Sequence, residues 1–207
     1  MATRGSERLT AWLGKARAGD RSAFDQLFND VSSERCLLVI TVRLPPKLRS
    51  KLGPEDLLQE TRIEAWRDIA QLREVSTAGF HRWVVGIAEH VVADAGRYYH
   101  RRKRDVDCEE RFDRSAGSKA FEVRDTPRRS ISRQEQVLRI VAVLDELGEL
   151  FRSLIILRVL ESCPTAEVGR RLGLEPRTVR SKTSDALRKL RANLKAAGIE
   201  STLFRST

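Results

Sequence analysis

Residues 165–187 read Thr165-Ala-Glu-Val-Gly-Arg-Arg-Leu172-Gly-Leu-Glu-Pro176-Arg-Thr-Val-Arg-Ser-Lys-Thr-Ser-Asp-Ala-Leu187. Thr165 to Leu172 reads as a short helix, and Gly173-Leu174-Glu175 as a tight turn. Pro176 opens a second helix, because proline suits the first helical turn, where its missing N–H costs nothing. Val179, Ala186, Leu187, Leu190 and Leu194 fall on one face of that helix. Two helices joined by a glycine-containing turn of about three or four residues make a helix-turn-helix. The other face offers Arg177, Thr178, Arg180, Ser181, Lys182 and Ser184, with Arg188 a little further on. Such donors reach phosphates and base edges in a major groove, and the N-terminal residues of a recognition helix usually do the reading. The plainer alternative is a solvated basic face on a three-helix bundle. The turn spacing and the gathering of Arg, Lys, Ser and Thr at one helix start argue against it.

Working toward the N-terminus, Phe151, Leu154, Ile155, Arg158 and Val159 belong to one helix, and Val137, Leu138, Val141 and Leu144 form a stripe on another. Between Asp105 and about Arg133 the pattern dissolves into acids, bases, Ser, Gly and Pro127 with few apolar residues, as in a linker. Before it, a helix from near Phe80 to about Lys103 carries Val84, Ile87, Ala88, Val91, Val92 and Ala95 at helical spacing. It ends in a basic run, Arg97, Arg101, Arg102, Lys103 and Arg104, which encloses Tyr98 and Tyr99. Gly53-Pro54-Glu55-Asp56 starts another helix, with two acids at its positive end. Asp20 is an N-cap candidate for a helix carrying Ala23, Phe24, Leu27 and Phe28. That helix runs to about Arg43, although Leu37 to Val42 is equally compatible with a strand. A short helix from Leu9 to Ala18 precedes it. The expected fold is all-α: two small helical domains, residues 1–104 and 134–207, joined by a flexible linker, residues 105–133.

Bulk composition narrows the function. The formal charge of +10 and pI of about 10.1 favour a polyanionic partner. Cys36, Cys108 and Cys163 are scattered without metal-ligand spacing, which fits reduced thiols in a cytoplasm. Cys36 and Cys163 sit in apolar surroundings and read as buried filler. No apolar run suggests a signal peptide or a membrane span. The acidic and amide side chains of Asp56-Leu-Leu-Gln-Glu60-Thr61 lie on the outer face of a helix, which is more than a simple repressor needs, although a capped, soluble helix would look the same. Phe80-His81-Arg82-Trp83, followed about four turns later by the tyrosine–arginine cluster, suits single-stranded DNA: bases stack on rings while the backbone meets cations. Trp83 is better read as core.

Several motifs together resemble the extracytoplasmic-function sigma factors, a branch of the sigma-70 family. Gly19-Asp20-x-x-Ala23-Phe24, Asp56-Leu-Leu-Gln-Glu60-Thr61 with Ala65-Trp66, and Phe80-x-x-Trp83 with Ile87-Ala88, Asp94 and Arg97 resemble region 2. Glu167-Val168, Leu172-Gly173-Leu174 and Thr178-Val179-x-Ser181 resemble the region 4 helix-turn-helix. The resemblance implies a factor that joins core RNA polymerase and directs it to promoter DNA. It assigns Asp56, Gln59, Glu60 and Trp66 to the polymerase. It assigns the loop from Arg73 to Gly79, with Phe80, His81, Arg82, His90, Arg97 and Arg101, to the melted −10 element, one base of which is flipped out. The helix from Pro176 would read the −35 element as duplex. The linker would thread through the polymerase. The resemblance further implies control, in many members, by an anti-sigma factor that covers these faces. Four positions depart from the pattern: His90 for a frequent Asn, Asp185 for a common Arg, Pro164 for a capping Ser, and Leu147-Gly148 for Leu-Pro.

The sequence thus predicts a monomer when free, with two loosely tethered domains, no cofactor, no metal, no catalytic residues and no membrane insertion. The alternatives are a helix-turn-helix regulator that never binds core polymerase and a sigma-like decoy or adaptor. An enzyme is a weaker reading, since His81, His90 and His100 lack metal-ligand spacing and no phosphate-binding glycine loop occurs. A lipid-binding role for residues 97–104 would need a large apolar face beside the basic one.

Overall fold

The computed structural model describes residues 2–49, 51–74, 76–109, 133–200 and 203–204. These residues are helical, with no strand among them. Helices α1 (Ala2–Arg17), α2 (Arg21–Val31), α3 (Ser33–Arg43), α4 (Pro46–Arg49), α5 (Pro54–Arg67) and α6 (Thr77–Glu109) make the N-terminal half. Helices α7 (Arg133–Asp145), α8 (Glu149–Leu154), α9 (Thr165–Leu172) and α10 (Pro176–Ala196) make the C-terminal half. A π-helical segment, Ile155–Leu160, continues α8.

Local chemistry sets several ends. The Asp20 carboxylate accepts from the Ala23 N–H at 3.0 Å and caps α2. The Ser76 hydroxyl oxygen accepts from the Gly79 N–H at 2.9 Å, so α6 starts at Thr77, ahead of Phe80. It also continues to Glu109, into the stretch read as linker; the rest of that stretch lies outside the described residues. The single helix expected from Asp20 to Arg43 is two, broken at Ser32. The ambiguous run Leu37–Val42 is helix α3.

Every residue from Cys36 to Thr41 is buried. A stretch of helix that is apolar all round must be covered all round, and residues 36–41 are. Helices α2, α5 and α6 pack on it from the N-terminal half, while α7 and the 155–160 segment pack on it from the C-terminal half. One apolar cluster therefore runs from Phe24, Phe28, Leu37 and Phe80 through to Val137, Val141, Ile155 and Leu190. The two halves pack against each other along one seam in this structure, through α3. Residues 36–41 of α3 offer apolar surface on every side, and elements of both halves cover it. The described residues of the tail join the same core. Ile199 and Phe204 are buried, and the Arg191 Nε donates to the Phe204 carbonyl at 2.6 Å. No motif in residues 197–207 announces this.

Candidate nucleic-acid interface

The C-terminal site is built on the α9–α10 turn. Gly173 ends α9 with φ 65° and ψ 35°, the left-handed conformation that glycine adopts without strain. The Leu174 N–H then donates to the Gly169 carbonyl at 2.9 Å. Gly169 itself is needed for room, because a Cβ there would lie 2.5 Å from the Leu174 carbonyl oxygen. Its place one turn before the end of α9 is the only sequence signal for it. Val168 and Val179, both fully buried, meet Leu154, Leu157 and Cys163 in a small separate core that fixes the angle between the two helices.

That geometry turns Arg177, Arg180, Ser181, Ser184 and Arg188 to solvent, with Thr178 and Lys182 half-buried beside them. All seven residues expected on the DNA-reading face thus lie together on α10. Asp185, one of the four departures, is ion-paired with Arg188. This pairing draws Arg188 toward an acid on its own helix, so only part of its charge is offered to a phosphate.

The α5 face is equally open. Asp56, Gln59 and Glu60 are exposed one helical turn apart. Ile63 extends the same stripe and is 44% exposed, an apolar side chain set among acids and amides. Its spacing from Asp56, Gln59 and Glu60 is legible in the sequence, but its exposure is not. Trp66 is placed differently: it is half-buried against Phe24, at 5.3 Å between ring centroids, and the Arg21 guanidinium lies 5.5 Å from its ring. Trp66 anchors α5 to α2.

Along α6, His90, Arg97 and Arg101 are exposed at i, i+7 and i+11, and so share a face. Arg97 pairs with Asp94, and Tyr98 is 59% exposed beside it. Two expected contacts are corrected at the start of the helix. Phe80 is fully buried and packs 6.0 Å from Trp83, so its ring cannot stack on a base. Its position in the first turn of α6, which packs on α3, makes it core. His81 is also fully buried. Its Nε2–H donates to the Leu160 carbonyl, and its Nδ1 lies 3.2 Å from the Ser32 hydroxyl, which fixes the tautomer. Burial holds its pKa down to about 4, so the ring is neutral. Arg82 is half-buried, paired with Glu74 and within 3.4 Å of the Ser162 carbonyl. Trp83 packs on the core as expected.

Residues 138–190 match the family described as Sigma-70, region 4. The whole chain is similar to the ECF RNA polymerase sigma factor SigD of Mycobacterium bovis and of Mycobacterium tuberculosis. The identity is 29% over 197 residues, covering 93% of this chain and 86% of each relative. Residues 138–190 thus match a region of the sigma-70 family, and the chain as a whole is similar to curated extracytoplasmic-function sigma factors. Two solved structures are also similar to this chain. CnrH in complex with the cytosolic domain of CnrY is 20% identical, with a TM-score of 0.44, covering 92% of this chain and 98% of that one. The RsbN–BldN complex is 21% identical, with a TM-score of 0.32, covering 87% and 97%.

The remaining described side chains offer little chemistry. Burial pushes the Cys36 thiol up to about 12, and burial together with neighbouring acids pushes Cys163 up to about 11, so neither is a ready thiolate. Among the described residues no group of His, Cys, Asp and Glu could hold a metal ion. No helix among them is long and apolar enough to cross a membrane.

Proposed function

We propose that this protein is an extracytoplasmic-function sigma factor that joins core RNA polymerase through the α5 face, reads a duplex −35 element with α10, and holds a melted −10 strand along α6. One observation carries the reading: a single chain combines an exposed acid–amide face with a basic helix-turn-helix, and a simple regulator needs only the second. Asp56, Gln59 and Glu60 would supply the polar contacts to the polymerase, and Ile63 the apolar centre that such interfaces place inside a polar rim. Arg177 and Arg180 would meet phosphates and bases. Each good bidentate base contact is worth about 1–3 kcal/mol of discrimination. His90, Arg97 and Arg101 would track the single strand. Residues 1–104 and 134–207 serve as the two functional domains. The polymerase performs the phosphoryl transfer, and this subunit, working in the cytoplasm, selects where it starts.

The test is transcription in vitro by purified core polymerase on a genomic promoter library, with and without the protein. Protein-dependent starts sharing two spaced upstream elements are expected. Asp56→Arg and Ile63→Asp should abolish core binding while leaving duplex binding intact. Arg180→Ala should do the reverse, with the salt dependence of duplex binding weakened by about one charge. Duplex binding without core binding or new starts would make the protein a conventional helix-turn-helix regulator.

A further inference from the structure

The open face of α10 carries one residue of the opposite charge. Asp185 is the only acid in an otherwise cationic helix. Val179, Ala186, Leu187, Leu190 and Leu194 are buried and set the core side of that helix. Residues 177, 181, 184, 185 and 188 recur at intervals of three and four, and so share the other side. Asp185 thus stands among the residues proposed to read DNA. It lies about 12 Å along the helix from Arg177, a distance of about one major-groove width.

Its carboxylate is held in place but not used up. The Asp185 Oδ1 accepts from the Arg188 guanidinium, its one ion-pair partner among the described residues. The two side chains are 43% and 79% exposed. A carboxylate has two acceptor oxygens, and a guanidinium has several donors in a fixed fork. The pair therefore orients the acid while Oδ2 stays open to a donor, and Arg188 keeps donors of its own to offer.

An acid in that place works against general DNA affinity, because it repels phosphates wherever the helix binds. A misplaced charge of this kind suppresses wrong partners more than it strengthens the right one. The repulsion is offset only where the groove presents a donor. Guanine presents acceptors at N7 and O6, thymine one at O4, and adenine sets its N7 acceptor beside the N6 amine; cytosine presents its N4 amine alone. A carboxylate therefore matches cytosine, while the Arg188 donors match the acceptors of a guanine. We propose that Asp185 is a specificity-determining residue: it accepts a hydrogen bond from cytosine N4 and so selects a C·G pair in the duplex element. The inference rests on the proposed duplex-reading role of α10.

The test is selection of bound duplexes from a randomised library by the full chain, alone and joined to core polymerase. The wild type is compared with Asp185→Ala and Asp185→Asn. The wild type should prefer cytosine at one position by about tenfold, the discrimination of one good base contact. Asp185→Ala should lose that preference, keep the others, and bind unrelated duplex more tightly. Asp185→Asn should move the preference at the same position to adenine, because asparagine pairs with adenine N6 and N7. A role confined to helix structure would weaken every position together and would not exchange one base for another. Alanine is the strongest helix former, so folding of that variant is not at stake. Base preferences that both variants retain at every position would overturn the inference. A wild type with no base preference at all would strike the duplex-reading role of α10 itself.

Discussion

The two regions proposed to read DNA are built on opposite terms. On α10 the expected side chains are free at the surface, because a small core of Val168, Val179 and Leu154 lies entirely behind them. At the start of α6 two of the expected side chains are not free at all, because α3 and the 155–162 segment close over Phe80 and His81. The difference teaches that a motif held by its own local core presents its residues automatically. A motif that lies on a seam presents them only in one arrangement of the whole chain.

Phe80→Ala is the sharpest test of that contrast. As a core residue it should cost about 3–5 kcal/mol of stability, read by urea unfolding. A loss of DNA binding without loss of stability would break the contrast, since it would return Phe80 to the DNA. On the other side, Gly169→Ala drives a methyl group against the Leu174 carbonyl oxygen and should cost about 1–3 kcal/mol. Duplex binding should fall with it. A variant of unchanged melting temperature and affinity would mean that the turn tolerates more room than the structure gives it.

The pH response should separate the two regions further. His81 has a pKa of about 4 when buried and an ordinary value near 6.5 when released. The neutral ring belongs to the packed halves, so its contribution is complete above about pH 6.5 and is lost as the pH falls toward 4. Going from about pH 7.5 to 5.5 should weaken the seam about tenfold, or about 1.4 kcal/mol. Arg35 on α3 adds to this by repelling the charged ring. Glu161 works the other way: burial raises its pKa, and protonation at low pH favours the buried state. His81→Gln removes the imidazole term and leaves the Glu161 term, so the difference between the two pH profiles of interdomain distance isolates the histidine. Parallel profiles would count against its place in the seam. The smallest effect is expected on α10, where Asp185→Ala releases Arg188 from an exposed pair worth about 0.2–1 kcal/mol. Duplex affinity should rise a few-fold and its salt dependence should steepen. No change on either measure would show that Arg188 does not face the DNA.

The legibility of the sequence follows the same division. Periodicity and turn chemistry located α5, α6, α9 and α10, because helical spacing and a glycine-containing turn are local properties. The polar face of α10 was legible for the same reason. Gly169 escaped notice because its requirement comes from a carbonyl five residues away, across the turn. Ile63 escaped notice because an exposed apolar residue is ordinary until its neighbours are known. Trp66 looked like part of a binding face, yet it is anchored on Phe24 and Arg21.

By itself, the sequence determined an all-helical chain with a basic helix-turn-helix at one end and an acid–amide helix at the other. Backbone hydrogen bonding, side-chain periodicity and capping act within a few residues, and the order of residues fully specifies them. Only the tertiary structure decided that the two halves share a core, that the last residues return to it through Phe204, and that His81 is buried beside Leu160. The shared core depends on residues 79 to 118 positions apart meeting across one seam, as His81 meets Leu160 and Arg43 meets Glu161. The apolar all-round character of residues 36–41 is the trace that this seam leaves in the sequence. A stretch of helix with no polar face must be covered, but its composition does not name what covers it.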